Sequence, residues 1–424
     1  MLKVLFVSAE AAPLAKVGGL GDVAGALPKA LKNLGLDVRL VIPRYQAIDT
    51  PSKLPGSQVP VYYVSSAKYF DRDEIYGYAD DEERFRFFSR AVLELTKKEK
   101  FEPDIIHVND YHTALIPELL RTDYGRDPFF AATRSVLTIH NLANQGGEML
   151  RRGIETADII TTVSPTYAKE ILTKEFGAGL DGVLRVREDR LHGILNGIDT
   201  EVYDPETDPN LTANFSVKNV AKRGEDKRAL LAELGLAHPE WPLFAMIARL
   251  VTQKGVDLVT AAMGELSRKP FNLAILGLGE RQLEDRLHRE DVQYENMVVK
   301  LEFNEGLARR MYAGSDFFLV PSLYEPAGLT QMIAMRYGSI PVVRRTGGLA
   351  DTVFDGRNGL TFDRYSVEAL LATIERAIEL FGDQQELAKM QRRGMQSDYS
   401  WRKPAEEYVK LYREALKLPQ SHES

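Results

Sequence analysis

Short apolar runs alternate with longer segments of helical periodicity along the whole chain. Most of the runs are hydrophobic throughout, which is typical of parallel strands that helices cover on both faces. The runs predict strands at residues 3–8, 37–42, 104–108, 135–140 and 158–163, and again at 242–248, 272–276, 297–303, 316–320 and 339–343. The pattern occurs twice, so it predicts an α/β chain of two doubly wound, Rossmann-like domains.

The same pattern predicts where the domains divide. Residues 1–190 are expected to form the N-terminal domain and 191–399 the C-terminal domain, with a polar, strand-poor stretch at about 204–226 as a hinge region. The apolar residues on one face of a last predicted helix, 403–417, are Trp401, Ala405, Tyr408 and Tyr412. An apolar helical face needs a partner surface, and we expect the segment at about 400–424 to pack back on the N-terminal domain.

Two turns, one in each half, share the pattern basic-x-Gly-Gly-Leu-x-Asp. They read Lys16-Val-Gly-Gly-Leu-Gly-Asp22 and Arg345-Thr-Gly-Gly-Leu-Ala-Asp351. Each turn follows a predicted strand and opens a helix, so backbone N–H groups of the helix would lie beside a cation. Asp22 is the expected cap of the first of these helices. An ordinary strand-to-helix turn can have the same residues. The repetition favours a function, and we expect an anion-binding turn in each half.

Polar residues cluster at the carboxyl ends of predicted strands, where open α/β sheets bind ligands. They are Glu10, residues 107–112 and His140-Asn141 in the first half, and Arg249, Lys254 and Glu325 in the second. A carboxylate can bind sugar hydroxyls, while two cations and helix N–H groups can hold a diphosphate. The second set is therefore suited to a nucleotide sugar. An irregular, aromatic-rich segment at 44–82 is also expected to be functional, as long loops in compact domains usually are.

Composition excludes several classes of function. The chain has 54 Lys and Arg against 61 Asp and Glu, a net charge of −7, which argues against a nucleic-acid or anionic-membrane partner. It has no cysteine, so thiol nucleophiles and Cys-based metal sites are excluded. His107 and His112 are five residues apart without a placed carboxylate, so no metal site is expected. The N-terminus reads as a strand and not as a signal peptide, so we expect an unexported protein.

An ordered set of motifs resembles the family of bacterial glycogen synthases and plant starch synthases. Besides the two Gly-Gly turns, the set consists of Asp110-Tyr-His-Thr113, His140-Asn-Leu-Ala-Asn-Gln-Gly146, Ser164-Pro-Thr-Tyr-Ala168, Gly193-Ile-Leu-Asn-Gly-Ile-Asp199, Arg249 to Gly255 and Glu325-Pro-Ala-Gly-Leu-Thr-Gln331. The resemblance implies the GT-B architecture, in which two such domains face each other across a cleft. It implies transfer of glucose from ADP-glucose to the non-reducing end of an α-1,4-glucan, with the anomeric configuration retained. It implies no cofactor and no metal, and a cytoplasmic or, for a plant enzyme, plastid location.

The resemblance also implies roles for single residues. The implied catalytic residues are His112 at the anomeric centre, Arg249 and Lys254 at the departing diphosphate, Glu325 in the glucose and ribose region, and Asp80 in the Tyr-x-Asp-x-x-x-Arg-Phe segment. Those implied to bind the donor are Lys16, Gly18, Gly19, Asp22, Asn196, Gly328, Leu329, Thr330 and Phe303, the last by stacking on adenine. Two fixed cations would stabilise the negative charge that develops on the diphosphate. No pair of carboxylates is suited to a double displacement, so front-face attack within an ion pair is favoured.

Other activities are compatible with the same residues. UDP-glucose as donor, or a short maltooligosaccharide as acceptor, would keep the fold and the mechanism. An inactive two-domain glucan-binding or nucleotide-sugar-binding protein would bind without transfer. A glucan phosphorylase shares the broad architecture but needs a lysine-bound pyridoxal phosphate, and the chain is short for that family and lacks its signature lysine region. One departure from the family concerns the acceptor, because the interval between Gly146 and Asp158 is shorter than the family usually has. A segment on the acceptor side is therefore expected to be missing.

Overall fold

The computed structural model describes residues 1–46, 48–142, 147–291 and 293–419. The chain divides into two compact units, of which unit 1 comprises Met1–Gly197 with Ser400–Ser424, and unit 2 comprises Ile198–Tyr399. The described residues of each unit form one parallel sheet with helices on both faces, so the predicted α/β fold is confirmed.

Unit 1 contains a seven-stranded sheet in the order β3-β2-β1-β4-β5-β6-β7. Its strands are β1 (Lys3–Val7), β2 (Asp37–Pro43), β3 (Val61–Val64), β4 (Ile105–Asn109), β5 (Arg134–Ile139), β6 (Ile159–Thr162) and β7 (Leu191–Gly193). Its helices up to β7 are α1 (Gly19–Asn33), α2 (Ala67–Phe70), α3 (Asp81–Lys98), α4 (Ile116–Arg121), α5 (Gly147–Thr156), α6 (Pro165–Glu170) and α7 (Asp181–Val186), with a 3-10 turn at Glu188–Arg190. The strand order reverses between β1 and β4, and ligands bind at the carboxyl ends of such neighbours.

Unit 2 repeats this design with a six-stranded sheet in the order β10-β9-β8-β11-β12-β13. Its strands are β8 (Leu243–Ile247), β9 (Asn272–Leu276), β10 (Met297–Lys300), β11 (Phe317–Val320), β12 (Ile340–Arg344) and β13 (Leu360–Phe362). Its helices are α8 (Arg223–Leu234), α9 (Val256–Leu266), α10 (Arg281–Asp291), α11 (Glu305–Gly314), α12 (Thr330–Arg336), α13 (Gly347–Thr352), α14 (Val367–Gly382) and α15 (Gln384–Gln396), with 3-10 turns at Val220–Lys222 and Thr252–Lys254. The switch in strand order lies between β8 and β11, which places the equivalent binding edge there.

The sheets are buried on both faces, which explains the unbroken apolar runs. In β8, Phe244 and Met246 pack into one hydrophobic cluster, while Leu243 and Ala245 pack into another on the opposite face. Successive side chains of a strand point to opposite faces, so helices on both sides favour apolar residues at most positions.

The boundary between the units differs from the sequence expectation. β7 continues the first sheet by pairing with β6, with Ile160 opposite Leu191, so the chain stays in unit 1 as far as Gly197 instead of leaving it near residue 190. The stretch at 204–226 is part of unit 2 and is not a separate hinge region, because Phe215 and Asp226 within it are buried. Three strands, β3, β7 and β13, have only three or four residues and were not predicted.

The C-terminal helix α16 (Arg402–Ala415) belongs to unit 1. Its apolar residues Trp401, Ala405, Tyr408 and Tyr412 are buried in one cluster with Val23, Leu27 and Leu31 of α1. The Tyr412 hydroxyl also bonds to Nδ1 of His107 at 2.7 Å, and Nε2 of His107 bonds to Thr138 Oγ1 at 2.6 Å. A chain of buried polar groups therefore ties α16 to β4 and β5.

Replacing Tyr412 with phenylalanine is expected to destabilise unit 1 by about 1–3 kcal/mol, because Nδ1 of the fully buried His107 loses its partner. Of the two tryptophans, Trp401 lies in unit 1 and Trp241 in unit 2. Urea unfolding followed by Trp401 fluorescence in a Trp241→Phe background measures the loss. Tyr294→Phe, in unit 2, should leave that transition unchanged, and an equal shift for both variants would contradict the assignment.

Candidate active site

The carboxyl ends of β1 and β4 bring together Glu10, Asp110 and His112 of unit 1, all buried. Asp110 has a φ of +53°, a left-handed conformation that aspartate tolerates better than most residues. Its Oδ1 accepts the backbone N–H of His140 at 2.7 Å. This bond fixes the turn that carries His112.

The His112 imidazole is enclosed by aromatic rings. Ring centroids of Tyr111, Phe85 and Tyr76 lie 3.8, 4.6 and 5.1 Å from it. Burial, with the nearby Arg84 and His140, lowers the pKa of His112 from 6.5 to about 3. Neither ring nitrogen has a hydrogen-bond partner among the described residues. A neutral, buried imidazole with both nitrogens unpartnered is suited to contacting a substrate.

The pKa values of His107 and His140 are also lowered to about 3, chiefly by burial. A folded-state pKa below the ordinary 6.5 means that the unfolded chain binds protons more readily. The stabilisation is therefore complete above about pH 6.5 and is lost as the pH falls towards 3, by about 1.4 kcal/mol per pH unit for each such histidine.

We expect His112→Phe to remove one of these three contributions, because a phenyl ring fits the aromatic surroundings. The difference in unfolding free energy between the wild type and His112→Phe should change by about 1.4 kcal/mol per pH unit below pH 6.5. Urea titrations from pH 7.5 to 5 measure it. A pH-independent difference between the wild type and His112→Phe would contradict a depressed pKa.

The first Gly-Gly turn is arranged differently from the expectation. Helix α1 begins at Gly19 with Gly18 as its N-cap, so Asp22 lies inside the helix and does not cap it. The Lys16 ammonium lies 2.7 Å from an Asp22 oxygen. The N–H groups of Val17 and Gly18 donate to Oε2 of Glu10, at 2.6 and 2.9 Å, so a side chain of the protein already occupies two donors of the expected anion-binding turn.

Asp80 is held in place by Arg72, which lies in the aromatic-rich segment at 44–82. Both carboxylate oxygens accept hydrogen bonds from the guanidinium of Arg72, each at 2.7 Å, and these bonds lower the pKa of Asp80. Phe85, from the same Tyr-x-Asp-x-x-x-Arg-Phe segment, is the residue that contacts His112. Arg84 is fully buried and donates to the carbonyl oxygen of Tyr69 at 2.7 Å.

Asn196 also lies in unit 1, near its junction with unit 2 in the sequence. It is buried, and its Oδ1 has no hydrogen-bond partner among the described residues. This unpartnered amide oxygen is available to a ligand.

At the binding edge of unit 2, Lys254 donates from Nζ to both oxygens of Glu325, at 2.8 and 2.7 Å. Ser322 donates a third hydrogen bond to Glu325 at 3.0 Å. The Glu325 side chain is 8% exposed and that of Lys254 22% exposed. Arg249, after β8, is exposed, and its guanidinium makes no hydrogen bond or ion pair with the described residues. The edge therefore has one partly buried, oriented ion pair and one available cation.

Tight backbone contacts fix this edge. Gly255 follows Lys254 with a φ of +74°, and a Cβ there would lie 2.2 Å from the carbonyl oxygen of Pro321. Only glycine lets the loop after β8 approach the loop after β11 so closely.

The second Gly-Gly turn packs against the loop after β11. The Gly348 N–H donates to the carbonyl oxygens of Glu325 and Pro326, at 3.0 and 3.2 Å. A Cβ at Gly347 would lie 2.0 Å from the same Glu325 oxygen. The Gly348 N–H is therefore already engaged by the protein, and anion binding by this turn stays a prediction.

The remaining predicted donor-binding residues lie around the same sheet. Gly328 has a φ of +65°, Leu329 is the N-cap of α12, and Thr330 is its first residue. Phe303, between β10 and α11, is 89% exposed, so its ring is free to stack on a flat ligand. Their roles in binding stay predictions.

Among the described residues, no group of three or more His, Asp or Glu side chains could hold a metal ion. None of the helices in the same part of the chain combines the length and apolarity that crossing a membrane requires.

Comparisons with known proteins decide the family. Residues 3–148 and 147–186 match the starch synthase catalytic domain family, and residues 235–395 match the family of glycosyl transferases group 1. A glycogen synthase of Syntrophotalea carbinolica is 43% identical, over 98% of this chain and 99% of its own length. The chain belongs to the glycogen synthase and starch synthase family.

Other members of the glycogen and starch synthase family agree with this assignment. The glycogen synthase of Geobacillus stearothermophilus is 41% identical over 98% of this chain and of its own length. The catalytic domain of starch synthase IV from Arabidopsis thaliana, bound to ADP and acarbose, has a TM-score of 0.90 and 33% identity, covering 98% of this chain and 100% of that one. This family member is therefore a glycosyltransferase with the GT-B fold.

The match also locates a departure from the family. The starch synthase match is broken into two pieces that meet at residues 147–148. The alignment with the Syntrophotalea enzyme has 481 positions, more than the 424 residues of this chain, so that relative has internal residues without a counterpart here. The break coincides with the short interval after Gly146. Residues 143–146 of the motif beginning at His140 lie outside the described residues.

Proposed function

We propose that this glycosyltransferase transfers glucose from ADP-glucose to the non-reducing end of an α-1,4-glucan, with retention of configuration. The observation that carries the proposal is the Lys254–Glu325 pair beside the available Arg249, at the ligand-binding edge of unit 2. In the Arabidopsis structure, the domain binds ADP and acarbose, which supports an adenine nucleotide donor and a glucan acceptor here. The bacterial relatives suggest a cytoplasmic location.

The negative charge that develops on the diphosphate during transfer suggests a role for each charged residue at the binding edge of unit 2. Breaking the bond between glucose and diphosphate leaves negative charge on the diphosphate, which Arg249 and Lys254 would stabilise. Glu325 would hold the Lys254 ammonium through two hydrogen bonds and so keep it from moving during the reaction. Phe303 would stack on the adenine, and Gly328, Leu329 and Thr330 would approach the phosphates.

In unit 1, we assign His112 to the sugar. Its low pKa keeps the ring neutral, so it would not repel the positive charge that develops on the glucose. Asn196 supplies an unpartnered amide oxygen. No carboxylate is assigned as a nucleophile, since Glu10 and Asp80 have both oxygens engaged by the protein. We propose that the acceptor attacks from the face that the diphosphate leaves.

A short maltooligosaccharide is a second candidate acceptor. The break in the family match at residues 147–148 supports it, since a missing segment on the acceptor side would remove contacts with a long glucan. Transfer to maltotriose through maltoheptaose, measured beside glycogen, separates the two acceptors.

The test is the initial rate of glucose incorporation into glycogen from ADP-glucose and from UDP-glucose in parallel. The proposal expects a kcat/KM at least tenfold higher with ADP-glucose. A preference for UDP-glucose would overturn the donor, and binding of ADP without transfer to any glucan would favour a binding protein.

A further inference from the structure

We propose that Glu10 is a positioning residue of the donor site, holding the turn at residues 16–19 and, through Tyr76, the ring of His112. The inference rests on the proposed function, because it names what keeps residues of that site in place.

Glu10 is 1% exposed and lies just after β1. Its Oε2 accepts the Val17 and Gly18 N–H groups, and its Oε1 accepts the Tyr76 hydroxyl at 2.7 Å. Burial, with the Glu10 charge beside it, raises the pKa of Tyr76, so the phenol keeps its proton and donates it. One carboxylate therefore joins the end of β1, the start of α1 and the aromatic segment.

The neighbouring glycines fit this arrangement. A Cβ at Gly21 would lie 3.0 Å from Oε2 of Glu10, so a larger residue in α1 would push the carboxylate away. At Gly18 and Gly19, by contrast, a Cβ would have no neighbour within 4 Å. The turn is thus fixed by its N–H groups while its glycines stay open to an incoming group. Hydrogen bonds to an ionised acceptor are about twice as strong as neutral ones, which suits a carboxylate to this task.

Tyr76 extends the effect to the sugar-contacting residue. Its ring packs 5.1 Å from that of His112, and packing is what orients the imidazole, because the ring nitrogens have no partner in the described part of the chain. Without Glu10, the Tyr76 hydroxyl loses its acceptor and the wall beside His112 loosens.

The test compares Glu10→Ala with Glu10→Gln. We expect the alanine variant to raise amide hydrogen exchange at Val17 and Gly18 at least tenfold and to lower kcat/KM for ADP-glucose roughly 10- to 100-fold, with KM for glycogen unchanged. Glutamine should restore most of both, because its amide oxygen can accept the two N–H groups while its NH₂ donates to Tyr76. If the carboxylate itself took part in the reaction, Glu10→Gln would lose as much activity as Glu10→Ala. That result would overturn the proposal.

A matched control is Asp226, a buried carboxylate that accepts the N–H groups of Thr212 and Ala213 at 2.9 and 3.2 Å. Asp226→Ala should raise exchange at those two residues and leave kcat/KM for ADP-glucose unchanged. An equal fall in that kcat/KM for both alanine variants would mean general destabilisation and would overturn the proposal. If Glu10→Ala does not fold, Tyr76→Phe takes its place, and it must lower kcat/KM for ADP-glucose without faster exchange at Val17.

The exchange measurement separates the two proposals. If the wild type transfers no glucose, the proposed function fails, while exchange at Val17 and Gly18 still decides whether Glu10 holds the turn. Unchanged exchange in Glu10→Ala would overturn the positioning role whatever the activity.

Discussion

Replacing Lys254 with alanine is expected to lower kcat for glucosyl transfer about 10²- to 10³-fold while unit 2 stays folded. The ammonium is fixed by both oxygens of Glu325, so it is in place before charge develops on the diphosphate. Removing one such preorganised group typically costs about 2.7–4 kcal/mol of transition-state stabilisation. The initial rate from saturating ADP-glucose to glycogen measures the effect.

The alanine variant also leaves the nearly buried Glu325 carboxylate without its cation, which costs stability as well as activity. The double variant Lys254→Ala/Glu325→Gln removes the stranded charge, so it should recover stability but not turnover. Lys269→Ala is a matched control, because Lys269 pairs with the exposed Glu375 in the same unit, and it should keep the wild-type rate. Wild-type turnover in Lys254→Ala would show that the diphosphate site is misplaced.

Gly347→Ala is expected to destabilise unit 2 by about 3–5 kcal/mol, the largest stability effect of the substitutions discussed. Its φ of +44° disfavours any side chain, and a Cβ would lie 2.0 Å from the carbonyl oxygen of Glu325. Relief of that overlap must move the backbone of Glu325, so donor binding should weaken too. Trp241 fluorescence during urea unfolding, in a Trp401→Phe background, reports unit 2 alone.

Gly382 provides the control for this substitution. It ends α14 with no atom within 4 Å of a Cβ, so alanine there should change the unfolding free energy by less than about 1 kcal/mol. Equal stability of the two alanine variants would contradict the close packing of the second Gly-Gly turn.

Much of the fold could be predicted from the sequence because parallel strands buried on both faces leave unbroken apolar runs. Ten strands were placed within a few residues, as β8 illustrates, predicted at 242–248 and found at Leu243–Ile247. The strands β7 and β13 were missed because each has three residues and includes a polar one, so neither shows an apolar run. The strand β3 was missed because it lies within the segment 44–82, which was expected to be irregular. Missing β7 moved the domain boundary to residue 190.

The site was less predictable, because hydrogen bonds between distant residues do not show in a local pattern. Glu10 was recognised as a strand-end carboxylate, but its bond to Tyr76 spans 66 residues. Phe85 could have been predicted as a site residue, since it is the last residue of the motif that identified Asp80. The two Gly-Gly turns read alike in sequence, and their contacts distinguish them. The first donates N–H groups to the Glu10 carboxylate, whereas Gly348 of the second donates to the Glu325 carbonyl.

The central claim is transfer of glucose to the non-reducing end of the glucan. The most direct test locates the labelled glucose that ADP-glucose has donated to glycogen. The elongated polymer is digested with an exo-acting β-amylase, which releases maltose from non-reducing ends joined by α-1,4 bonds. The proposal predicts that the label appears in the first maltose released. Label that remains in undigested polymer, or no incorporation into any glucan, would contradict retaining transfer to the non-reducing end.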